Sequence, residues 1–134
     1  MKQVIPIMRK QGGGSIINMS SALALMHMAG MSIYAALKEA LAHISITAHE
    51  ELKEDKIAVS VVYPYVTLTD FEKNTIKTGA PSWENQEGNE EDESSGLPFK
   101  PDTAEYVAQK IVEGVESGAE EIFVHDWMKR AESS

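Results

Sequence analysis

The sequence predicts an α/β fold on a parallel sheet, in the order β-α-β-α-β, and three observations carry that expectation. Three short apolar runs, "SIINMS", "KIAVSVVY" and "EEIFVHDW", have the length and composition of strands. Two stretches between them, beginning near Ser32 and Pro101, repeat their apolar residues at helical spacing. Crossovers of helical length join parallel strands, whereas antiparallel neighbours need only a few residues.

The elements follow in order. Residues 1–11 read as the tail of a helix interrupted by Pro6, and Gly12, Gly13 and Gly14 break it. "SIINMS" is then a buried strand, bounded by glycine on one side and serine on the other. Ser32 is read as the N-cap of a helix running to about Lys53, with Ile33, Leu37, Leu41, Ile44, Ala48 and Leu52 as its apolar stripe. "KIAVSVVY" is nearly continuous in β-branched residues, as a strand buried on both faces should be. "PYVTLTDFEKN" leaves it as a loop. A last helix opens at Pro101 with a capping box of Asp102 and Glu105, and Gly118 closes it. Its apolar face is Ala104, Val107, Ala108, Ile111, Val112 and Val115. "EEIFVHDW" is the third strand, with His125 expected as a surface histidine.

Composition narrows the function. The 134 residues suffice for one domain with one core. A net charge of −9 argues against nucleic acid and anionic membrane as partners. No cysteine is present, which excludes disulfides, thiolate nucleophiles and cysteine-held metals and fits a cytoplasmic setting. No apolar run is long enough to span a bilayer, and "MKQVIPIMRKQGGG" lacks the form of a signal peptide. The acidity is local: residues 79–99 hold six carboxylates and no basic residue, and read as a solvated, mobile loop. No metal site is expected, since His43 and His49 do not share a helix face.

One stretch carries chemistry. In "SSALALMHMAGMSIYAALK", Tyr34 and Lys38 are four apart at a helix start and share a face. An ammonium beside a phenol stabilises the phenolate, which makes a tyrosine usable as a general acid or base. Ser20 and Ser21 end a strand, where ligands of open parallel sheets bind. Alone, Tyr-x-x-x-Lys is more often a packed tyrosine beside a solvated lysine. Met26, Met28 and Met31 offer an adaptable apolar lining or ordinary packing.

Taken together, the glycine turn, the Asn-x-Ser-Ser strand end, Tyr34 thirteen residues after Ser21, and Pro64 followed five later by Thr69 resemble the second half of the short-chain dehydrogenase/reductase family. The resemblance covers residues 1–71, and "TAEYVAQKIVEGVESGAEEIFV" looks like the family's last helix and strand. It implies the C-terminal half of a Rossmann-like, doubly wound parallel sheet, residues 1–134 forming one partial domain. It also implies alcohol–carbonyl interconversion with NAD or NADP. By resemblance, Ser21 would hold the substrate oxygen, Tyr34 would move the proton, and Lys38 would support Tyr34 and bind the nicotinamide ribose. Thr67 would meet the carboxamide, Thr69 the cofactor phosphates, and segment 79–99 the substrate.

The departures matter as much. The family's Gly-x-x-x-Gly-x-Gly turn, which binds pyrophosphate at a helix N-terminus, is absent, as are the residue that selects NAD or NADP and the catalytic asparagine. Pro64-Tyr65 stands where the family keeps Pro-Gly, putting a ring where backbone should approach the nicotinamide. The expectation is therefore a fragment, a truncated form or one half of a split enzyme, with a noncatalytic remnant serving assembly as the alternative. A half sheet leaves the edge of "SIINMS" open, so a homo-oligomer or a complementing chain is expected.

Overall fold

The computed structural model describes residues 1–69 and 100–129, so the acidic segment 79–99 lies outside the described residues. Among the described residues, five strands and three α-helices follow one another: α1 (Ile5–Gln11), β1 (Gly14–Met19), α2 (Ser32–Leu52), β2 (Ile57–Tyr63), β3 (Thr67–Leu68), β4 (Asp102–Thr103), α3 (Ala104–Glu116) and β5 (Glu121–Phe123). β1, β2 and β5 form one sheet with β2 in the middle, and both pairings are parallel. Gly14 faces Ile57 and Met19 faces Val62, while Val61 faces Glu121. β3 and β4 make a separate parallel ribbon of two residues each.

The period of two in β2 explains the layers. Ile57, Val59, Val61 and Tyr63 turn to the side of α1 and α2, where they meet Leu52, Ala48 and Ala42. Val62 turns the other way and packs with Val107, Ile122 and Val124 beneath α3. Ser60, on that second side, is buried and donates its hydroxyl to the Ala119 carbonyl at 2.7 Å. Burying each such valine or isoleucine contributes about 1.5–3 kcal/mol. Strand β2 is thus covered on both faces, as its sequence predicts, and helices on both sides make the sheet doubly wound.

Several local expectations change. Pro6 does not interrupt α1 but sits in its first turn, where its missing N–H costs nothing. Gly12 caps that helix in the left-handed region at φ 85°, and Gly13 follows at φ 143°. A Cβ on Gly13 would lie 2.6 Å from the Lys56 carbonyl oxygen, so only glycine lets the chain enter β1 here. Strand β1 is an edge, not a buried strand: among the described residues it pairs only with β2, and Ile17 and Met19 are exposed. Ser32 is the first residue of α2 rather than its cap; the cap position is Met31 and makes no side-chain bond.

The stripe of α2 is reversed at three positions. Its buried face is Ala42, Ser45, Ala48 and Leu52, whereas Ile33, Leu37 and Ile44 are 77%, 67% and 56% exposed. Small residues let this helix lie close to the sheet, and Ile33, Leu37 and Ile44 are left exposed along its flank. In α3 the capping box does not form. Thr103 is the N-cap, accepting from the Tyr106 N–H at 3.2 Å, and Asp102 belongs to β4. Val107 is buried, Ile111 and Val115 pack beside it, and Ala104, Ala108 and Val112 face outward. Gly118, at φ 71°, follows the Ser117 cap as expected.

Helix α3 approaches β5 so closely that a Cβ on Gly114 would stand 2.5 Å from Cγ1 of the buried Ile122. Alanine is the better helix former by about 1 kcal/mol, but overpacking costs about 1–3 kcal/mol. Gly114→Ala is therefore expected to lower the urea midpoint with its slope unchanged. An equal or higher midpoint would mean that the helix shifts away without loss.

Candidate functional site

Parallel pairing brings the carboxyl ends of β1 and β2 to one rim, and the strand ends are hydrogen-bonded to each other beyond the ladder. The Ser20 N–H donates to the Val62 carbonyl, and the Ala22 N–H to the Pro64 carbonyl, both at 2.8 Å. Ser20 is buried, and its hydroxyl donates to the Lys38 carbonyl at 2.8 Å. In return the Lys38 ammonium donates to the Met19 carbonyl at 2.9 Å. Two reciprocal bonds therefore pin the start of α2 to the end of β1.

Ser21 follows in extended conformation and caps a 3-10 turn, Ala22–Ala24. Its Oγ accepts from the Leu23 N–H at 3.2 Å, which leaves the hydroxyl proton able to donate elsewhere. Tyr34 lies in the first turn of α2 and is 40% exposed. The Lys38 Nζ stands 5.7 Å from the centre of its ring. The structure thus brings Lys38 to Tyr34 and to the strand end that carries Ser21. The Lys38 ammonium is held to backbone by one of its donors, in an exposed setting.

The two threonines lie beyond β2. Thr67, half-buried in β3, donates its hydroxyl to the Tyr65 carbonyl at 3.0 Å and pairs with Asp102. Thr69 is exposed just past that ribbon. The Tyr65 ring is buried and meets Trp127 edge-on at 5.7 Å, within a cluster that includes Ala22, Ala24 and Ala42. Its bulk is taken up by core packing.

His125 is the correction with most bearing on the site. It is not a free surface histidine: its Nε2–H donates to both oxygens of the Asp102 carboxylate, at 2.9 and 2.8 Å. A carboxylate only accepts, so the proton must be on Nε2. Nothing in the sequence linked positions 102 and 125, since the pair closes only when β4 and the end of β5 meet. Met26 packs partly against the core. His49 donates from Nδ1 to the Val59 carbonyl at 2.7 Å, and His43 is exposed. His49, Glu50 and Glu120 bring one ligand atom each within 4.8 Å of one another, though Glu50 also faces the Lys53 ammonium at 3.6 Å. Among the described residues, no helix is long and apolar enough to cross a membrane.

Ser20→Ala tests the tie between α2 and β1. Losing one largely buried hydroxyl donor should cost about 1 kcal/mol in urea unfolding. A stability equal to that of the parent would mean that the Lys38 bond to Met19 holds the two elements unaided.

Comparison with known proteins gives consistent matches. The family model for short chain dehydrogenase matches residues 1–79. Over 70 residues the chain is 43% identical to 3-ketodihydrosphingosine reductase of Dictyostelium discoideum, which is 51% of this chain and 21% of that protein. Over 73 residues it is 37% identical to 3-oxoacyl-(acyl-carrier-protein) reductase of Homo sapiens, 54% of this chain and 31% of the relative. Among solved structures, a short-chain dehydrogenase from Sphingobium yanoikuyae in complex with NADPH superposes with a TM-score of 0.70 at 22% identity. That match covers 91% of this chain and 41% of the other, and supports the fold alone. The matched part thus spans 21%, 31% and 41% of these three relatives.

Proposed function

The chain belongs to the short-chain dehydrogenase family, and from that premise we propose that it carries the proton-transfer half of an oxidoreductase site that interconverts an alcohol and a carbonyl. The observation that carries this reading is the double tie of Lys38: its carbonyl takes the Ser20 hydroxyl, and its ammonium, 5.7 Å from the Tyr34 ring centre, donates to the Met19 carbonyl. In this reading Ser21 donates its hydroxyl proton to the substrate oxygen and stabilises charge that develops there. Tyr34 gives that oxygen its proton in reduction and removes it in oxidation. Lys38 holds Tyr34 in place and stabilises its ionised form.

The cofactor would be NAD or NADP, which supplies the hydride when bound. Lys38 and Thr67 lie near the carboxyl ends of β1 and β2, where ligands of open parallel sheets bind. In this reading Lys38 would hold the ribose, the backbone of Thr67 the carboxamide, and Thr69 the phosphates. The chain has no Gly-x-x-x-Gly-x-Gly turn for the pyrophosphate. Residues 1–134 are accordingly read as one partial domain, the substrate being a small alcohol or carbonyl compound, and the absence of cysteine favours a cytoplasmic setting.

The test is a fluorescence titration of the purified chain with NADH and NADPH. Saturable binding that weakens about tenfold in Lys38→Ala, for the loss of a hydrogen bond to a charged donor, supports the site. Absence of binding up to millimolar nucleotide would overturn it for this polypeptide.

The exposed Ile33, Leu37 and Ile44 of α2, together with the edge of β1 that pairs with no strand among the described residues, favour a second reading in which the chain acts in assembly. Large apolar faces of this kind are seldom left in water. We propose a homo-oligomer or a complex with a complementing chain through this side. Light scattering at tens of micromolar should give a mass above that of the monomer, and Leu37→Lys should lower it. A monodisperse monomer in the parent chain would count against self-association.

A further inference from the structure

The ribbon of β3 and β4 is too short to hold itself. It has two residues on each side, and even isolated two-stranded hairpins are marginal in water. Among the described residues, its pairing is extended by the Asp102 N–H donating to the Val66 carbonyl at 2.8 Å, and its ends are tied locally by Thr67 to the Tyr65 carbonyl and by the Tyr106 N–H to Thr103. Yet this ribbon carries Thr67, and its backbone must keep a fixed attitude if it is to receive a carboxamide.

His125 supplies an anchor from the main sheet. Asp102 is only 8% exposed in its side chain, and the His125 ring, 25% exposed, closes over both carboxylate oxygens. A buried carboxylate needs such donors, and a charge-assisted bond is among the stronger ones available. The ring is itself confined. Tyr106 and Trp127 lie 5.7 and 6.2 Å from its centre, and the Tyr106 hydroxyl donates to the Val124 carbonyl at 3.3 Å. The Met128 N–H donates to the His125 carbonyl at 3.1 Å, which fixes the backbone beyond β5. A side chain anchored to the end of the main sheet thus holds the one buried carboxylate of the ribbon.

We propose that His125 is a positioning residue for the nicotinamide end of the site: through Asp102 it clasps the β3–β4 ribbon to the carboxyl end of β5 and sets the backbone of Thr67. This rests on the reading of Lys38 and Thr67 as nucleotide contacts given above. His125 touches neither substrate nor nucleotide in this role.

Two substitutions separate packing from the hydrogen bond. His125→Phe keeps a ring between Tyr106 and Trp127 but loses the donor. His125→Gln loses the ring and keeps an N–H at about the same reach. The readouts are amide exchange at Asp102, followed by NMR, and the dissociation constant for NADPH. His125→Phe should speed exchange at Asp102 and weaken NADPH binding, each by about tenfold, the worth of one hydrogen bond to a charged group. His125→Gln should restore most of both. Parent-like exchange and affinity in His125→Phe would overturn the proposal. So would faster exchange with unchanged affinity, since the clasp would then be structural only. Should His125→Phe fail to fold, His125→Gln decides by itself, and a large loss of NADPH affinity with the donor retained overturns the role. If the parent chain binds no NADPH, the nucleotide reading fails first, and the positioning role falls with it.

Discussion

The parallel pairing of β2 with both β1 and β5 is the constraint on which the rest of the structure depends. Parallel strands end on the same side, so one rim receives Ser20 and Ser21 from β1, Pro64 to Thr67 beyond β2, and His125 beyond β5. Residues more than a hundred positions apart are thereby gathered on one rim. The ties across this rim run from Ser20 to Val62, from Ala22 to Pro64, and from Ser20 and Lys38 to each other's segments. An antiparallel arrangement of the same strands would have sent one of these ends to the opposite edge.

The same sheet decides how α2 is used. A helix lying close to a twisted parallel sheet needs small side chains at the contact, and Ala42, Ser45 and Ala48 provide them. Ser45 satisfies its buried hydroxyl on the Leu41 carbonyl and accepts from the Asn18 amide at 2.8 Å. The larger Ile33, Leu37 and Ile44 are thereby turned away from the sheet. One helix thus presents a tight inner face that fixes Lys38 against β1 and an apolar outer face. The catalytic and the assembly readings draw on different faces of it, and neither excludes the other.

At the far end of the rim, aromatic rings do work that in the first half is done by hydroxyls. Tyr65, Trp127, His125 and Tyr106 follow one another with ring centres 5.7, 6.2 and 5.7 Å apart. Tyr65, a departure from the family's glycine, is packed against Trp127 and the alanines of the 3-10 turn. A bulky residue in that position is accommodated because the segment after β5 supplies a matching surface. Asp102 and His125 then connect this cluster to the ribbon that bears Thr67.

Much was legible in the sequence because local rules decide it. β-branched runs fixed the strands, helical spacing fixed α2 and α3, and the crossover lengths fixed parallel pairing. Ser21, Tyr34 and Lys38 were singled out as a group only through the family resemblance; what the structure adds is that Lys38 stands 5.7 Å from the Tyr34 ring centre and reaches the Met19 carbonyl. Tertiary structure alone decided the rest. The face of α2 that is buried depends on how closely a sheet approaches, so the largest apolar residues were a poor guide to the inner side. Asp102 reads as a helix cap from its neighbours, but Thr103 takes the cap, because β4 pairs with β3 and turns the carboxylate toward a histidine twenty-three residues away. Local sequence carries the period of an element; it carries no information on a partner that only folding brings within hydrogen-bond reach.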